Sequence, residues 1–163
     1  MKNIASFALL IGLASFGHAG KTPDHLSIYK TQAEELMTMI ESKKIEGIES
    51  KADALVETSK PIVAMAKSVL PQCNEYFDAL IEAAEIIPTL PLDAIETDYH
   101  ADGKLPPLKD GSCYHVKDLL VHAATVQAMA RIGITTDKGW HSAEHEIEEV
   151  IEHFDIVKAS LAK

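Results

Sequence analysis

The chain has 163 residues, with 25 acidic and 15 basic side chains and a formal charge of −10. This excess of acid argues against nucleic acid as a partner, because phosphate backbones are bound by clustered Lys and Arg. The hydrophobic content of 47% excludes a disordered or fibrous protein, and the length suits one compact domain.

Residues 1–19 have the build of a secretory signal peptide. Lys2 supplies the positive charge, residues 4–16 form an apolar run, and Gly17, His18 and Ala19 precede the expected cut. The run is too short for a membrane-spanning helix, which needs about 20 residues. We therefore expect one domain over residues 20–163, periplasmic or secreted and free of the membrane; an uncleaved N-terminal anchor is the alternative.

A hydrophobic period of 3.6 residues predicts helices in the first half of this domain. The first helix begins after Asp24, which is a plausible cap, and ends near Lys44. The second covers residues 48–70, where Pro61 either kinks the helix or starts a new one. The third covers residues 72–87.

Residues 88–112 interrupt the period and predict a long connection with one short helical turn at residues 93–97. The segment contains four of the chain's seven prolines and two glycines. Loops of this length are uncommon in compact domains and often have a function. A helix over 113–132 follows, capped by Ser112, and a last helix begins between 137 and 142 and ends near Leu161. We predict an all-α fold: an antiparallel bundle of four or five helices with a long Pro/Gly-rich loop before the fourth.

Cys73 and Cys113 are the two cysteines of the chain. An even number of cysteines in an oxidising compartment favours a disulfide bond. The bond would close a loop of about forty residues around the proline-rich connection and stabilise the fold by roughly 4 kcal/mol. Two free thiols, or a soft metal site that uses Cys113 and His115, are the alternatives.

Sequence motifs for nucleophilic, phosphate or covalent haem chemistry do not occur in the chain. There is no Gly-rich phosphate loop, no nucleophile elbow, no Cys-x-x-Cys and no His-Glu-x-x-His. An enzyme would be restricted to metal-assisted chemistry, so catalysis ranks behind binding as an interpretation.

Histidines and a carboxylate at helical spacing form the lead candidate site. His115, Asp118 and His122 follow at offsets of three and four, which places them on one side of a helix beside its apolar stripe. His115 and His122 are two turns, about 10.5 Å, apart, so a shared ion needs further ligands, for which His100 is a candidate. These ligand types are typical of zinc, copper or nickel. The sequence therefore predicts a divalent transition-metal site at these four residues; boundary histidines salt-bridged to Asp118 are the alternative.

Two other histidine pairs are alternative sites. His141 and His145, followed by Glu148, lie opposite the apolar stripe of the last helix, which indicates a solvated face. His25 and His153 lie where the first helix would begin beside the end of the last, a layout compatible with non-covalent haem. The remaining interpretation is a structural or protein-interaction module of the cell envelope, with a protein partner and no cofactor.

Overall fold

The computed structural model describes residues 24–162, which fold almost entirely into helices. No strand occurs among these residues, and the prediction of an all-α fold is confirmed for them. The predicted signal peptide lies outside the described residues, and the limits of the domain stay a prediction. The helices are α1 (His25–Glu41), α2 (Ile48–Val69), α3 (Asn74–Ala83), α4 (Leu92–Ile95), α5 (Gly111–Ile132) and α6 (Asp137–Leu161).

The four long helices form a bundle in which α2 and α6 each contact both α1 and α5. Tyr29, near the start of α1, stacks on Phe154, near the end of α6, with ring centroids 5.9 Å apart. Lys43, just after α1, pairs with Asp137 at the start of α6. Each fully buried large apolar side chain contributes about 1.5–3 kcal/mol to this packing. The core includes Leu36, Leu55, Ile62, Leu119, Leu120 and Ile147.

Within residues 24–162, none of the helices contains an apolar stretch long enough to cross a bilayer.

The helix ends follow local hydrogen bonding, and one predicted cap is wrong. Asp24 caps α1 as expected, because its side chain accepts a bond of 3.2 Å from the backbone N–H of Ser27. Helix α5 begins at Gly111 and is capped by Asp110, not by Ser112. The Asp110 carboxylate accepts from both the backbone N–H and the hydroxyl of Ser112, at 2.9 and 2.6 Å. A carboxylate that takes two bonds outcompetes a hydroxyl that is itself a donor.

Helix α2 runs through Pro61 as one element, so the alternative of a new helix after Ser59 is wrong. The third predicted helix is shorter than expected. A 3₁₀ turn at Pro71–Cys73 precedes α3, and α3 ends at Ala83, ahead of a second 3₁₀ turn at Ile87–Thr89. Short turns of this kind are common at the ends of α-helices, where the hydrophobic period does not reveal them.

The proline-rich connection contains more structure than the single helical turn expected at residues 93–97. Helix α4 leads directly into a π turn at Glu96–His100, and the remaining residues to Asp110 are irregular. A Cβ atom at position 103 would lie 2.5 Å from the carbonyl oxygen of Thr97, so the close return of the chain requires Gly103. The predicted disulfide between Cys73 and Cys113 is present, with Cα atoms 5.7 Å apart, and it joins the 3₁₀ turn before α3 to the first turn of α5.

Candidate metal centre

Four histidines from three elements meet between the π turn, α5 and α6, and we call them the histidine cluster. His100 ends the π turn, His115 and His122 are two turns apart on α5, and His153 lies on α6. Ring centroids are 4.6 Å apart for His100 and His122, 4.9 Å for His115 and His153, and 6.2 Å for His122 and His153. The rings thus form one continuous row.

His100 reaches the cluster because two bonds attach the π turn to α5. The ammonium of Lys117 donates to the backbone carbonyl of His100 at 2.9 Å. Nε2 of His100 lies 3.0 Å from the hydroxyl of Thr125, which itself donates to the carbonyl of Val121 at 2.9 Å. Since that hydroxyl proton is engaged, His100 Nε2 is the donor to Thr125, which fixes the tautomer of the ring.

The first group of convergent ligand atoms, which we call the outer group, consists of His100, His122 and Glu146. His122 Nδ1 lies 2.6 Å from Glu146 Oε2, and His100 Nε2 lies 3.8 Å from the same oxygen. All three ligand atoms are within 4.8 Å of one another. They line a cleft of about 370 Å³ that opens to solvent. Two imidazoles and one carboxylate beside an open space form a typical zinc ligand set with a free position.

The second group, which we call the inner group, consists of Asp118, His122 and His153 and is buried. Asp118 Oδ2 lies 3.1 Å from His153 Nε2, and Asp118 Oδ1 lies 3.8 Å from His122 Nε2. The Asp118 side chain is 1% exposed, and neither of its oxygens has a hydrogen-bond partner within the described residues. The contacts of Asp118 with ring and ammonium nitrogens have ion-pair distances without hydrogen-bond geometry.

The buried side chain of Lys117 balances part of the carboxylate charge. Its Nζ lies 3.3 Å from Asp118 Oδ1 and 3.4 Å from Asp102 Oδ1, and the side chain is fully buried. The ammonium also sits 4.6 Å from the ring centroid of Tyr114. A buried ammonium is costly unless it is paired, so these two carboxylates stabilise it.

Burial determines the ionisation of two histidines of the cluster. Desolvation lowers the pKa of His100 below its usual value, and it outweighs the opposing effect of the Glu146 carboxylate. Desolvation, followed by the neighbouring His153, lowers the pKa of His115. Because neutral imidazole is the form that binds metal ions, the lowered pKa of His100 favours metal binding at neutral pH.

Comparison of the chain with models of known protein families, with curated proteins and with solved structures gives no match.

The four ligands predicted from the sequence do not converge on one point. His100 and His122 belong to the outer group, whereas Asp118 and His122 belong to the inner group. His115 lies against His153 instead, with their Nδ1 atoms 2.7 Å apart, so one of these nitrogens carries the proton that the other accepts. The two-turn separation on α5 explains why His115 and His122 face different partners.

The sequence did not lead us to identify three residues of α6 as partners of α5. They are Glu146, Glu149 and His153. They are spaced by three and four residues and flank the buried Ile147 and Val150. This is the same signal that singled out His115, Asp118 and His122 on α5, so the pattern was available. What the pattern does not give is which residue of α6 lies opposite which residue of α5.

The alternative histidine pairs occupy other positions. The side chains of His141 and His145 are 82% and 64% exposed, and His145 lies at the rim of the cleft. His25 is half-buried in the first turn of α1. Both ring nitrogens of His153 face the cluster, since Nδ1 contacts His115 and Nε2 lies 3.3 Å from Glu149 as well as near Asp118. A haem iron would have to displace one of these partners.

Proposed function

We propose that this protein binds a divalent transition-metal ion (zinc, copper or nickel) at the outer group of His100, His122 and Glu146. The convergence of two imidazoles and a carboxylate from three separate elements carries the proposal, with ligand atoms within 4.8 Å of one another. Residues 20–163 would serve as a single antiparallel bundle that fixes α5, α6 and the π turn in this arrangement.

The metal-free contacts of the outer group are weak enough for an ion to replace them. An ion at the outer group replaces the bond between His100 and Thr125 and the bond between His122 and Glu146. Each such bond contributes about 0.5–1.5 kcal/mol net, or up to about 3 kcal/mol where one partner is charged. Micromolar affinity for an ion corresponds to about 8 kcal/mol. The hydrogen bonds therefore hold the ligand atoms near one another without preventing coordination.

The charge around the cleft supports a cation as the ligand. Glu96, Glu146 and Glu149 all line it, and the whole chain carries a formal charge of −10. A cleft lined by one sign of charge concentrates ions of the opposite sign. Asp118 lies behind His122, with Oδ1 3.8 Å from Nε2, and adds a further negative charge beside the cleft.

We further propose that the protein works outside the reducing cytosol, in the periplasm or in the medium. The disulfide between Cys73 and Cys113 supports this location, because such bonds persist in oxidising compartments. The sequence of residues 1–19 points in the same direction, as a signal peptide.

Thermal unfolding in the presence of each ion tests the proposed function. Zinc, copper and nickel are titrated separately into the wild type, His100→Ala and His141→Ala, all first freed of metal. His141 is the matched control, because it is an exposed histidine that lies outside both groups. Binding stabilises the wild type by about 2.7 kcal/mol when the free ion is at a hundred times its dissociation constant.

We expect His141→Ala to keep this stabilisation and His100→Ala to lose the part that the outer group supplies. If none of the three ions stabilises the wild type, metal binding is wrong and a protein-interaction module takes its place. Equal behaviour of the two variants would show that the ion binds elsewhere.

A further inference from the structure

We infer that the inner group is a second cation site, which shares His122 with the outer site, so that the protein holds a pair of metal ions. This inference rests on the proposed function, because His122 serves both ions. Its ligands are Asp118, His122 and His153, with Glu149 as the fourth.

The carboxylate of Asp118 is the first reason. It is almost completely buried, and neither oxygen has a hydrogen-bond partner among the described residues. An unsatisfied buried charge costs several kcal/mol. Lys117 lies beside Oδ1, whereas Oδ2 points toward His153 Nε2 at 3.1 Å. A cation between Oδ2 and the imidazoles would supply the missing partner.

The spacing of the ligand atoms is the second reason. In a tetrahedral site with metal–ligand bonds of about 2.0–2.1 Å, neighbouring ligand atoms are about 3.3 Å apart. His153 Nε2 lies 3.1 Å from Asp118 Oδ2 and 3.3 Å from Glu149 Oε2, and the other Asp118 oxygen, Oδ1, lies 3.8 Å from His122 Nε2. Small side-chain movements therefore bring two imidazoles and two carboxylates around one ion. Glu149 also lines the cleft, which gives the ion a route inward.

The two ring nitrogens of His122 are the third reason. Its Nδ1 faces the Glu146 carboxylate at 2.6 Å, and its Nε2 faces the Asp118 carboxylate at 3.8 Å. A neutral imidazole has one N–H, so it can satisfy only one of these two carboxylates. With an ion at each nitrogen, the ring loses its N–H proton to solvent and bridges the pair as an imidazolate, and both carboxylates are then matched by cations.

The local charge is consistent with a pair of divalent ions. Five carboxylates surround the two groups, and Lys117 is the ammonium that faces them. Four negative charges remain after Lys117 is counted, and the His122 imidazolate adds a fifth when two ions bind. Two divalent cations therefore leave one of these charges unbalanced, whereas a single ion beside a neutral His122 leaves two. The five carboxylates are those of Glu96, Asp102, Asp118, Glu146 and Glu149.

Metal content of the purified chain tests the inference. The wild type, Glu146→Gln and His153→Gln are dialysed against buffer with a fixed excess of free zinc, and bound zinc is measured by elemental analysis as the excess over the dialysis buffer. We expect two zinc ions per chain in the wild type. His153→Gln should hold one, at the outer site, and Glu146→Gln should hold one, at the inner site. Circular dichroism checks that each variant is folded.

Copper binding provides a second test, which depends on whether His122 bridges the two ions. Two Cu²⁺ ions joined by one imidazolate couple magnetically, so the electron paramagnetic resonance intensity per copper should fall as the second equivalent binds to the wild type. In His153→Gln the intensity should stay equal to the copper content. If His153→Gln does not fold, Glu149→Gln replaces it in this test, because the Glu149 side chain is partly exposed. This substitution should lower the affinity for the second ion about tenfold or more.

The outcomes separate this inference from the proposed function. One ion in the wild type, lost in Glu146→Gln and kept in His153→Gln, would overturn the second site and leave the outer site standing. No ion in the wild type would overturn both. Two ions without magnetic coupling would overturn the shared role of His122.

Discussion

Nδ1 of His122 lies 2.6 Å from Oε2 of Glu146, a contact that joins α5 to α6 at the edge of the cleft. His122 stands out in the sequence as a candidate ligand, whereas Glu146 does not. The same register between the two helices also places His115 against His153. His115 lies seven residues before His122 in α5, and His153 lies seven residues after Glu146 in α6. One packing arrangement therefore creates both halves of the cluster.

His122 is the side chain whose loss should affect metal binding most. His122→Ala removes a ligand from both groups, so we expect no metal-dependent stabilisation in thermal unfolding at pH 7.5. His115→Ala, the same substitution on the same helix, should keep binding at the outer group, because His115 contacts His153 rather than that group. If both variants lose binding equally, His115 is a ligand, as the sequence predicted, and the division into an outer and an inner group is wrong.

Lys117 should be important for the metal-free fold. Lys117→Met leaves the carboxylates of Asp118 and Asp102 without their buried cation, and removing one partner of a buried pair costs about 3–5 kcal/mol. Urea unfolding in the presence of a chelator measures this loss. Excess zinc should recover part of it, because an ion beside Asp118 supplies positive charge again. A loss below about 1 kcal/mol would contradict the pairing that the structure shows.

The buried His100 should make the metal-free protein less stable in acid. Burial lowers its folded pKa below the unfolded value of about 6.5, so below that pH the unfolded state binds more protons. The free energy of unfolding therefore falls as the pH drops from about 6.5 to the folded pKa, and His100 causes no further loss below that. Urea unfolding at pH 7.5, 6.5 and 5.5 should show a smaller decrease for His100→Gln than for the wild type. Equal decreases would mean that folding does not lower the pKa of His100.

Reduction of the disulfide should destabilise the fold without abolishing it. The bond spans 40 residues, which corresponds to roughly 4 kcal/mol in the chain-entropy model. Alkylation of the unreduced protein should label neither Cys73 nor Cys113, and reduction should lower the melting temperature. The double variant Cys73→Ser/Cys113→Ser should melt at the temperature of the reduced wild type. Free thiols in protein isolated from an oxidising compartment would contradict the pairing.

The helices were predictable because their apolar period and several of their ends are local properties of the sequence. The cap at Asp24 and the stop at Gly133, which has a positive φ of 103°, follow from neighbouring residues alone. The cap of α5 was wrong because Asp110 and Ser112 are both good caps, and their mutual hydrogen bonds decide between them. The π turn before His100 has no sequence signal of its own.

The candidate site was only half predictable for a different reason. Periodicity identifies the face of α5 that carries His115, Asp118 and His122, but it does not say what lies opposite. Glu146 and His153 become partners through the register between α5 and α6, which depends on the packing of the whole core. This register could have been proposed from two pairs of residues that are each seven residues apart. They are His115 and His122 on α5, and Glu146 and His153 on α6.

Anomalous X-ray diffraction from crystals grown with zinc tests the central claim most directly. We predict a zinc peak between His100 Nε2, His122 Nδ1 and Glu146 Oε2, with each bond at about 2.0–2.2 Å. Data collected on either side of the zinc absorption edge identify the ion, and crystals of His100→Ala provide the comparison. A zinc peak bound only by exposed residues such as His141, with the hydrogen bond between His122 and Glu146 unchanged, would contradict the account.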